Sequence, residues 1–288
     1  MSEAQDSMTA VDIAAQRRFE GLGKLKWGAL ALVLAVLWYV ANPAIPCAEE
    51  KALWEKVRAA QTHLVDWRRG AGTATPPEID PWGCGLIGVE WSGITTTLGD
   101  LEAKRTACNP AWSIRLLRWF DELVLQRGDP VAVYASGSFP GMLLNAIAAA
   151  EARELDLLLI VSLGASTWGA NHPDMPWPVI SAELRRAGFL HQQADYYTLG
   201  GGSELGTGLS PENLDSLRAY ARESGIELLQ ARNLNEMIAL KSDRLAAHAP
   251  KLLIHIGGAH ANMGDDETVL GLPPGLIRAG SVEQAGTG

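Results

Sequence analysis

Short apolar stretches alternate with amphipathic stretches between residues 84 and 256. Compact runs rich in Val, Ile, Leu and Tyr are typical of buried strands, and apolar residues at three- and four-residue steps are typical of helices. The predicted strands are 84–89, 130–135, 157–162, 194–199, 226–230 and 251–256. The predicted helices are 110–126, 141–153, 178–187, 211–224 and 234–247. The alternation predicts an α/β fold with a mostly parallel sheet and helices on both faces.

Residues that favour helix ends support these boundaries. Ser210 precedes Pro211, Asn233 and Glu236 form a capping box, and Gly225 follows a predicted helix. Open parallel sheets bind their ligands beyond the carboxyl ends of the strands. We therefore expect the functional residues in the loops that follow the strands.

The N-terminal part of the chain follows a different pattern, because residues 27–48 carry no charge. These 22 residues, at about 1.5 Å each, span roughly the 30 Å hydrocarbon core of a membrane. Four basic residues precede the segment: Arg17, Arg18, Lys24 and Lys26. The pattern predicts one transmembrane signal anchor, with residues 1–26 in the cytoplasm and the domain on the outer side of the cytoplasmic membrane.

Three other interpretations of this segment stay open. A cleaved signal peptide is disfavoured by the 26-residue leader and by Pro43 and Pro46 at the exit. A lipoprotein modified at Cys47 is disfavoured by the residues that precede this cysteine. A buried core helix is the third interpretation. The anchor is followed by a predicted helical stalk and linker over 49–82, an α/β domain over 83–270 and a disordered tail over 271–288.

Composition narrows the classes of partner. The chain has 24 basic and 33 acidic residues, a net charge of −9, which argues against a nucleic-acid partner. The three cysteines lack the spacing of a metal site, and we predict neither a metal nor a cofactor. Cys84 and Cys108 are candidates for a disulfide in an oxidising compartment, although the sequence does not show whether they lie close together.

The loop after the first predicted strand is rich in hydroxyl groups. Thr95, Thr96 and Thr97 are consecutive and lie between glycines, and Lys104 and Arg105 follow. Such groups are suited to a polar cradle for an anionic or amide-rich ligand. The alternative is a capped loop leading into a helix, with the basic pair in solvent. We predict ligand contacts here, also from Glu90 and Ser92.

The loop after the second predicted strand combines serines with a tight turn and a helix start. Ser136 and Ser138 flank Gly137, and an apolar helix follows. A helix N-terminus favours a carboxylate or phosphate. The arrangement loosely resembles a nucleophile elbow, although the spacing is not Gly-x-Ser-x-Gly. A serine cap beside a turn glycine is the alternative, so both serines are candidates rather than assignments.

Three later loops supply further candidates. His172 and Asp174 follow the third predicted strand and are candidates for an oriented general base, but a surface histidine beside a proline turn is the favoured interpretation. Residues 200–208 contain five glycines, Gly201 among them, but no Gly-Lys-Ser/Thr follows, so this is not a Walker A loop. The last strand leads into a loop with the candidate residues Gly257, Gly258 and His260.

Several of these segments together resemble the membrane-anchored poly-gamma-glutamate system protein family. The similar segments are 88–90, 94–99, 103–106, 136–140, 200–202 and 256–258, with the anchor before them. Members of that family accompany the ligase and membrane subunits that make and export poly-γ-glutamate capsule. The resemblance implies a role in that process, with capsule synthase or export subunits as partners. It supplies no catalytic residues.

Two main functions follow from these observations, with a structural adaptor as a third. The first is an accessory protein that binds poly-γ-glutamate or its end outside the cytoplasm, a role in which the net negative charge favours a chain end over a long polymer. The second is a serine-type hydrolase or transferase acting on γ-glutamyl amides, with Ser138 as nucleophile, His260 as base and helix N–H groups as an oxyanion hole. The sequence favours the first.

Overall fold

The computed structural model describes residues 10–41, 45–264, 272 and 274–278. The chain divides into two compact units, Met1–Cys47 and Ala48–Gly288. The first unit contains the helix α1 (Ala10–Ala41), on which large apolar side chains such as Leu32 and Trp38 are exposed. In the part of the chain that the structure describes, no helix combines the length and the apolar character needed to cross a membrane.

The predicted anchor over 27–48 is therefore not found as one transmembrane helix. The helix α1 begins well before residue 27 and ends at Ala41, residues 42–44 lie outside the described residues, and the helix α2 (Ala48–Gly70) begins after non-helical residues 45–47. Pro46 offers a reason for the interruption, because proline in a helix interior removes a hydrogen bond and clashes with the preceding turn. The predicted disordered tail lies mostly outside the described residues.

The second unit is an α/β structure with two parallel sheets. The strands are β1 (Thr95–Thr97), β2 (Pro130–Ser136), β3 (Asp156–Ser162), β4 (Ala165–Ser166), β5 (Tyr196–Thr198), β6 (Glu227–Leu228) and β7 (Leu252–Ile256). The helices after α2 are α3 (Leu101–Ala107), α4 (Ala111–Glu122), α5 (Pro140–Ala152), α6 (Trp177–Arg186), α7 (Pro211–Ser224), α8 (Leu234–His248) and α9 (His260–Met263). Five strands form a parallel sheet in the order β6-β5-β3-β2-β7, and β1 pairs with β4. The predicted α/β class with a mostly parallel sheet is confirmed.

Helices cover both faces of the five-stranded sheet. On one face, Val131 and Val133 of β2 join the larger core, to which α2, α4, α5, α6 and α7 contribute. On the other face, Ala132 and Tyr134 join a smaller core with residues of α8 and α9. Alternate residues of β2 are therefore buried against different layers, and the strand is mostly apolar because neither face meets water.

The segment 84–89 is buried but does not form the predicted strand. Leu86 and Ile87 are inaccessible to solvent, as the apolar pattern requires. Around them, two carbonyl groups bond to a side chain: Arg68 Nη1 donates to Gly85 O at 3.0 Å and to Ile87 O at 2.8 Å. The apolar run correctly indicates that this segment is buried, but it does not indicate the backbone conformation of the segment.

The helix α2, which begins the segment predicted as a helical stalk and linker, packs into the core of the α/β unit. Leu53, Val57 and Leu64 lie on one face and are buried in the larger core. Gln61 Nε2, also buried, donates to Cys108 O at the end of α3. The amphipathic pattern of this helix thus reflects packing on α4, α5 and α6.

Candidate functional site

A cavity of about 450 Å³ lies at the carboxyl ends of the central strands. Ser136 and Ser162, the last residues of β2 and β3, form part of its wall. The remaining wall comes from the loop between β1 and α3, the turn before α5, β4, and the glycine-rich loops after β5 and β7. The cavity therefore occupies the position where open parallel sheets bind ligands.

Seven of the residues predicted from the sequence line this cavity: Thr96, Thr97, Lys104, Ser136, Ser138, Gly201 and Gly258. They come from four segments that are far apart in sequence: β1 with α3, the end of β2 with the turn after it, and the loops after β5 and β7. Two of the glycines are needed for this convergence. A Cβ on Gly99 would lie 2.7 Å from Ser166 Oγ, and one on Gly164 would lie 2.6 Å from Thr96 Cγ2. Because the β1 loop approaches β4 this closely, side chains at these positions would push the wall apart.

Five other predicted residues lie outside the cavity lining, and two of them stabilise a nearby loop. Thr95 is buried, and its hydroxyl accepts from Ser92 N at 2.8 Å. The Ser92 hydroxyl in turn donates to Asn171 O. These groups fix the loop that carries Thr96 and Thr97, so they shape the cavity without facing it.

The other three have separate surroundings. Glu90 lines a different cavity of about 300 Å³, together with His172. Gly257 lies behind the wall, where a Cβ would be 3.0 Å from Ser136 Cβ. The Arg105 guanidinium donates to Ile79 O at 2.9 Å and to Glu78 O at 2.7 Å, and it pairs with Glu102. Arg105 therefore holds the linker before the domain, and only Lys104 of the basic pair faces the cavity.

The cavity wall contains a cationic side chain, Lys104, and a carboxylate, Asp100. Lys104 is 3% exposed. Its Nζ donates to Ser166 Oγ at 2.7 Å, and the same atom lies 3.6 Å from the centroid of the Phe139 ring. Burial lowers the pKa of Lys104 to about 8, against the attraction of Asp100 and Cys108, which raises it. The side chain is thus a buried cation near neutral pH that loses its proton in mildly alkaline solution.

The three serines next to Lys104 are connected by hydrogen bonds. Ser136 Oγ donates to Ser138 Oγ at 2.8 Å, and Ser166 N donates to Ser138 Oγ at 2.9 Å. The predicted pairing of Ser138 with His260 is not tested, because the His260 side chain lies outside the described residues, although its main chain begins α9. Ser138 Oγ therefore has partners other than a histidine in the described structure.

Sequence reasoning missed Ser166, the last residue of β4, and Thr167, which follows it. Ser166 contacts Lys104 directly. The Thr167 hydroxyl accepts from Gly99 N at 2.6 Å and donates to Gly99 O at 2.8 Å, which fixes the β1 loop beside β4. The available signal was a pair of hydroxyl residues directly after a buried strand, the same signal that selected Ser136 and Ser138.

A buried ion pair on the other face of the sheet connects two of the glycine-rich loops. Glu204 follows the Gly200–202 segment of the wall, and its carboxylate pairs with Lys241 of α8. The Lys241 ammonium also donates to Asn262 Oδ1 in α9, directly after the loop with Gly258. Ser203 and Glu204 have φ values of 56° and 60°, which cost free energy in residues other than glycine. The ion pair therefore holds a strained loop in place.

Comparison of the chain with protein-family models, with curated proteins and with solved structures finds no match. The family resemblance therefore stays a prediction. Within the described ranges, no three His, Cys, Asp or Glu side chains are grouped so that they could hold a metal ion. The polar groups of the cavity wall are the Lys104 ammonium, the Asp100 carboxylate, several hydroxyls and the main chain of glycine-rich loops, and Asp100 also caps α3 by accepting from Ala103 N at 2.7 Å.

Proposed function

We propose that the protein is a membrane-associated accessory protein of poly-γ-glutamate synthesis or export, and that its strand-end cavity binds the carboxylate-bearing end of a glutamate oligomer. The observation that carries this proposal is the buried Lys104 ammonium in a wall of hydroxyl groups. A buried cation attracts a carboxylate more strongly than an exposed one, because less solvent screens the interaction.

The size of the cavity favours a chain end over a long stretch of polymer. Small-molecule sites typically occupy about 300–1,000 Å³, and the volume here is about 450 Å³. A local site of this kind is compatible with the net charge of −9, because the recognition involves one or two carboxylates and not an extended polyanion. Capsule synthase or export subunits remain the proposed protein partners.

The first prediction concerns Lys104 itself. In the Lys104→Met variant, we expect the dissociation constant for γ-linked triglutamate to rise about 10- to 100-fold, because a hydrogen bond to a charged group contributes about 1.5–3 kcal/mol. Isothermal titration calorimetry of the full chain at pH 7 measures this change. Methionine matches the lysine side chain as far as Cε and lacks only the ammonium group, so the packing of the stem changes little.

Lys251→Met is the matched control for this experiment. Lys251 precedes β7 at the opposite end of the sheet, where its ammonium pairs with Asp129 at 2.7 Å. We expect its dissociation constant to equal that of the unmodified protein. Equal affinity in the Lys104→Met variant would contradict the proposed site, and absence of binding to the unmodified protein would contradict the proposed ligand.

The proposed location is the outer side of the cytoplasmic membrane, with the apolar N-terminal segment as the point of attachment. Two observations support it. Residues 27–48 are uncharged, and the described tryptophans of α1, Trp27 and Trp38, are exposed to an extent unusual for such apolar side chains. In this location the α/β unit meets an oxidising environment.

The second prediction tests this location through Cys84 and Cys108, which are buried thiols in the structure. A hydrogen bond from Cys84 and burial raise the pKa of Cys108, so the two sulfur atoms are neighbours. Alkylation under denaturing conditions blocks the free thiols when the cells are lysed. In the protein isolated afterwards, we expect Cys84 and Cys108 to be joined in one disulfide-linked peptide pair. Exposed Cys47 provides the internal control for alkylation. Alkylation of both Cys84 and Cys108 would contradict an oxidising location.

A further inference from the structure

The contact between Lys104 and Ser166 is a pairing that ligand binding alone does not require. Lys104 Nζ lies 2.7 Å from Ser166 Oγ, and each residue is 3% exposed while lining the cavity. A serine hydroxyl is a weak nucleophile unless a base is within hydrogen-bonding distance to take its proton. Lysine serves as that base in one known variant of the serine hydrolase arrangement.

We propose that Ser166 is a nucleophile and Lys104 its general base, in a site that transfers acyl groups from amides or esters of carboxylate-bearing ligands. The inference rests on the proposed function only for its substrate class, and the pairing stands on the geometry of the two side chains. It places the chemistry on Ser166 and Lys104 in place of the predicted Ser138 and His260.

The surroundings of Ser166 fix the position of its hydroxyl. Ser166 N donates to Ser138 Oγ, which also accepts from Ser136 Oγ, so the turn before α5 holds the β4 main chain. On the opposite side, Gly99 leaves space for Ser166 Oγ, because a Cβ there would lie 2.7 Å away. Ser138 and Ser136 are therefore positioning residues for the nucleophile.

The ionisation of Lys104 suits a general base. The side chain must be neutral to accept a proton, and burial lowers its pKa to about 8. Asp100 and Cys108 act in the opposite direction, and the face of the Phe139 ring also favours the charged form. A neutral fraction is thus available near pH 7 and predominates above pH 8.

The proposed reaction proceeds in two balanced steps. The Ser166 hydroxyl proton passes to the neutral amine of Lys104 while Ser166 Oγ bonds to the carbonyl carbon of the ligand. The carbon–nitrogen bond of the amide then breaks, and the Lys104 ammonium returns the proton to the leaving amine. Water attacks the resulting ester of Ser166 with Lys104 again as base, which releases the carboxylic acid and restores the serine. Another amine in place of water would give transfer instead of hydrolysis.

A fluorophosphonate probe tests the nucleophile without any assumption about the natural ligand. Ser166 Oγ bonds to phosphorus, fluoride leaves, and the proton passes to Lys104. We expect peptide mapping of the labelled full chain by mass spectrometry to place the adduct on Ser166. Labelling should be lost in Ser166→Ala, fall at least tenfold in Lys104→Met, and stay unchanged in Ser216→Ala, whose hydroxyl lies on α7 and bonds to Glu212 O.

The pH dependence separates this inference from ligand binding. The rate of labelling should rise with pH through about pH 8 as Lys104 becomes neutral, whereas binding of triglutamate should weaken over the same range as the positive charge is lost. An adduct on another residue of the unmodified protein, no adduct at all, or a rate unchanged in Lys104→Met would overturn the inference. Because the adduct site is read from the unmodified protein, this outcome does not depend on the folding of a variant. Triglutamate binding without labelling would overturn the inference about Ser166 and would still support the proposed binding function.

Discussion

The Glu204→Leu variant is expected to lose about 3–5 kcal/mol of unfolding free energy. This is the cost of removing one partner of a buried ion pair, because the remaining charge has no compensation. The side chains of Lys241 and Glu204 are 3% and 0% exposed, and the Lys241 ammonium lies 5.4 Å from the centroid of the Tyr134 ring. Urea unfolding of the full chain, followed by tryptophan fluorescence, measures the change.

The loss of unfolding free energy in the Glu204→Leu variant should become smaller as pH rises. Burial lowers the pKa of Lys241, and Glu204 raises it, so removal of Glu204 leaves the folded-state pKa further below that of the unfolded chain. The unfolded state then binds more protons over the range between the two pKa values, and stability increases with pH there. The same variant should bind triglutamate more weakly, since Glu204 holds a loop that lines the cavity.

Two further variants distinguish the effect of the unpaired buried charge on stability from the effect of lost packing. Glu204→Leu combined with Lys241→Met removes both charges, and most of the stability should return, since apolar replacements of buried ion pairs are often neutral. Asp215→Leu removes the partner of Arg218 in an exposed ion pair and should change stability by less than about 1 kcal/mol. A double variant as unstable as Glu204→Leu would show that the charge is not the cause.

Much of the α/β architecture follows from local sequence. The helix α7 has the predicted bounds, because Ser210 accepts from Asn213 N at its start and Gly225 adopts φ 71° at its end. The strands β2 and β3 are also close to prediction, since their apolar runs are buried on both faces. Caps and apolar runs act over a few residues, so one sequence contains enough information to place them.

Pairing between distant residues was not predictable in this way. The segment 84–89 has the composition of a strand, but the carbonyl groups of Gly85 and Ile87 bond to Arg68 in α2. Lys104 and Arg105 were equivalent candidates, yet consecutive residues of a helix point in different directions, and only the packing of α3 determines which one faces the cavity. Ser166 becomes a candidate nucleophile only through Lys104, 62 residues earlier.

The rule for parallel sheets was the most informative guide to the site. It placed the functional residues after the strands, and residues such as Ser136, Gly201 and Gly258 do converge on one cavity. The rule does not separate residues that face a ligand from those that support the loop behind it. Thr95 and Ser92 belong to the second class: Thr95 contacts the side chain of Asn171, and Ser92 contacts its main-chain carbonyl.

Replacement of Asn171 by leucine is expected to destabilise the protein by about 3 kcal/mol and to weaken triglutamate binding. The residue is fully buried, and its Oδ1 accepts from Val89 N at 3.0 Å. Its Nδ2 donates to Val89 O at 2.8 Å and to Thr95 Oγ1 at 2.9 Å. Leucine has a similar volume, so the cost comes from polar groups that lose a partner, about 1–3 kcal/mol for each buried group.

Gln193→Leu is the control for Asn171→Leu, because it also exchanges an amide for leucine but at an exposed position, where Gln193 Oε1 accepts from Arg185. Its stability should change by less than about 0.5 kcal/mol, and its affinity for triglutamate should not change. The effect of Asn171→Leu on binding follows from the chain, because Thr96 and Thr97 directly follow Thr95 and lose their fixed position when its contact with Asn171 is removed. Normal affinity in a destabilised Asn171→Leu variant would show that these threonines do not contribute to the site, which would leave Lys104 and the strand-end serines as its recognition groups.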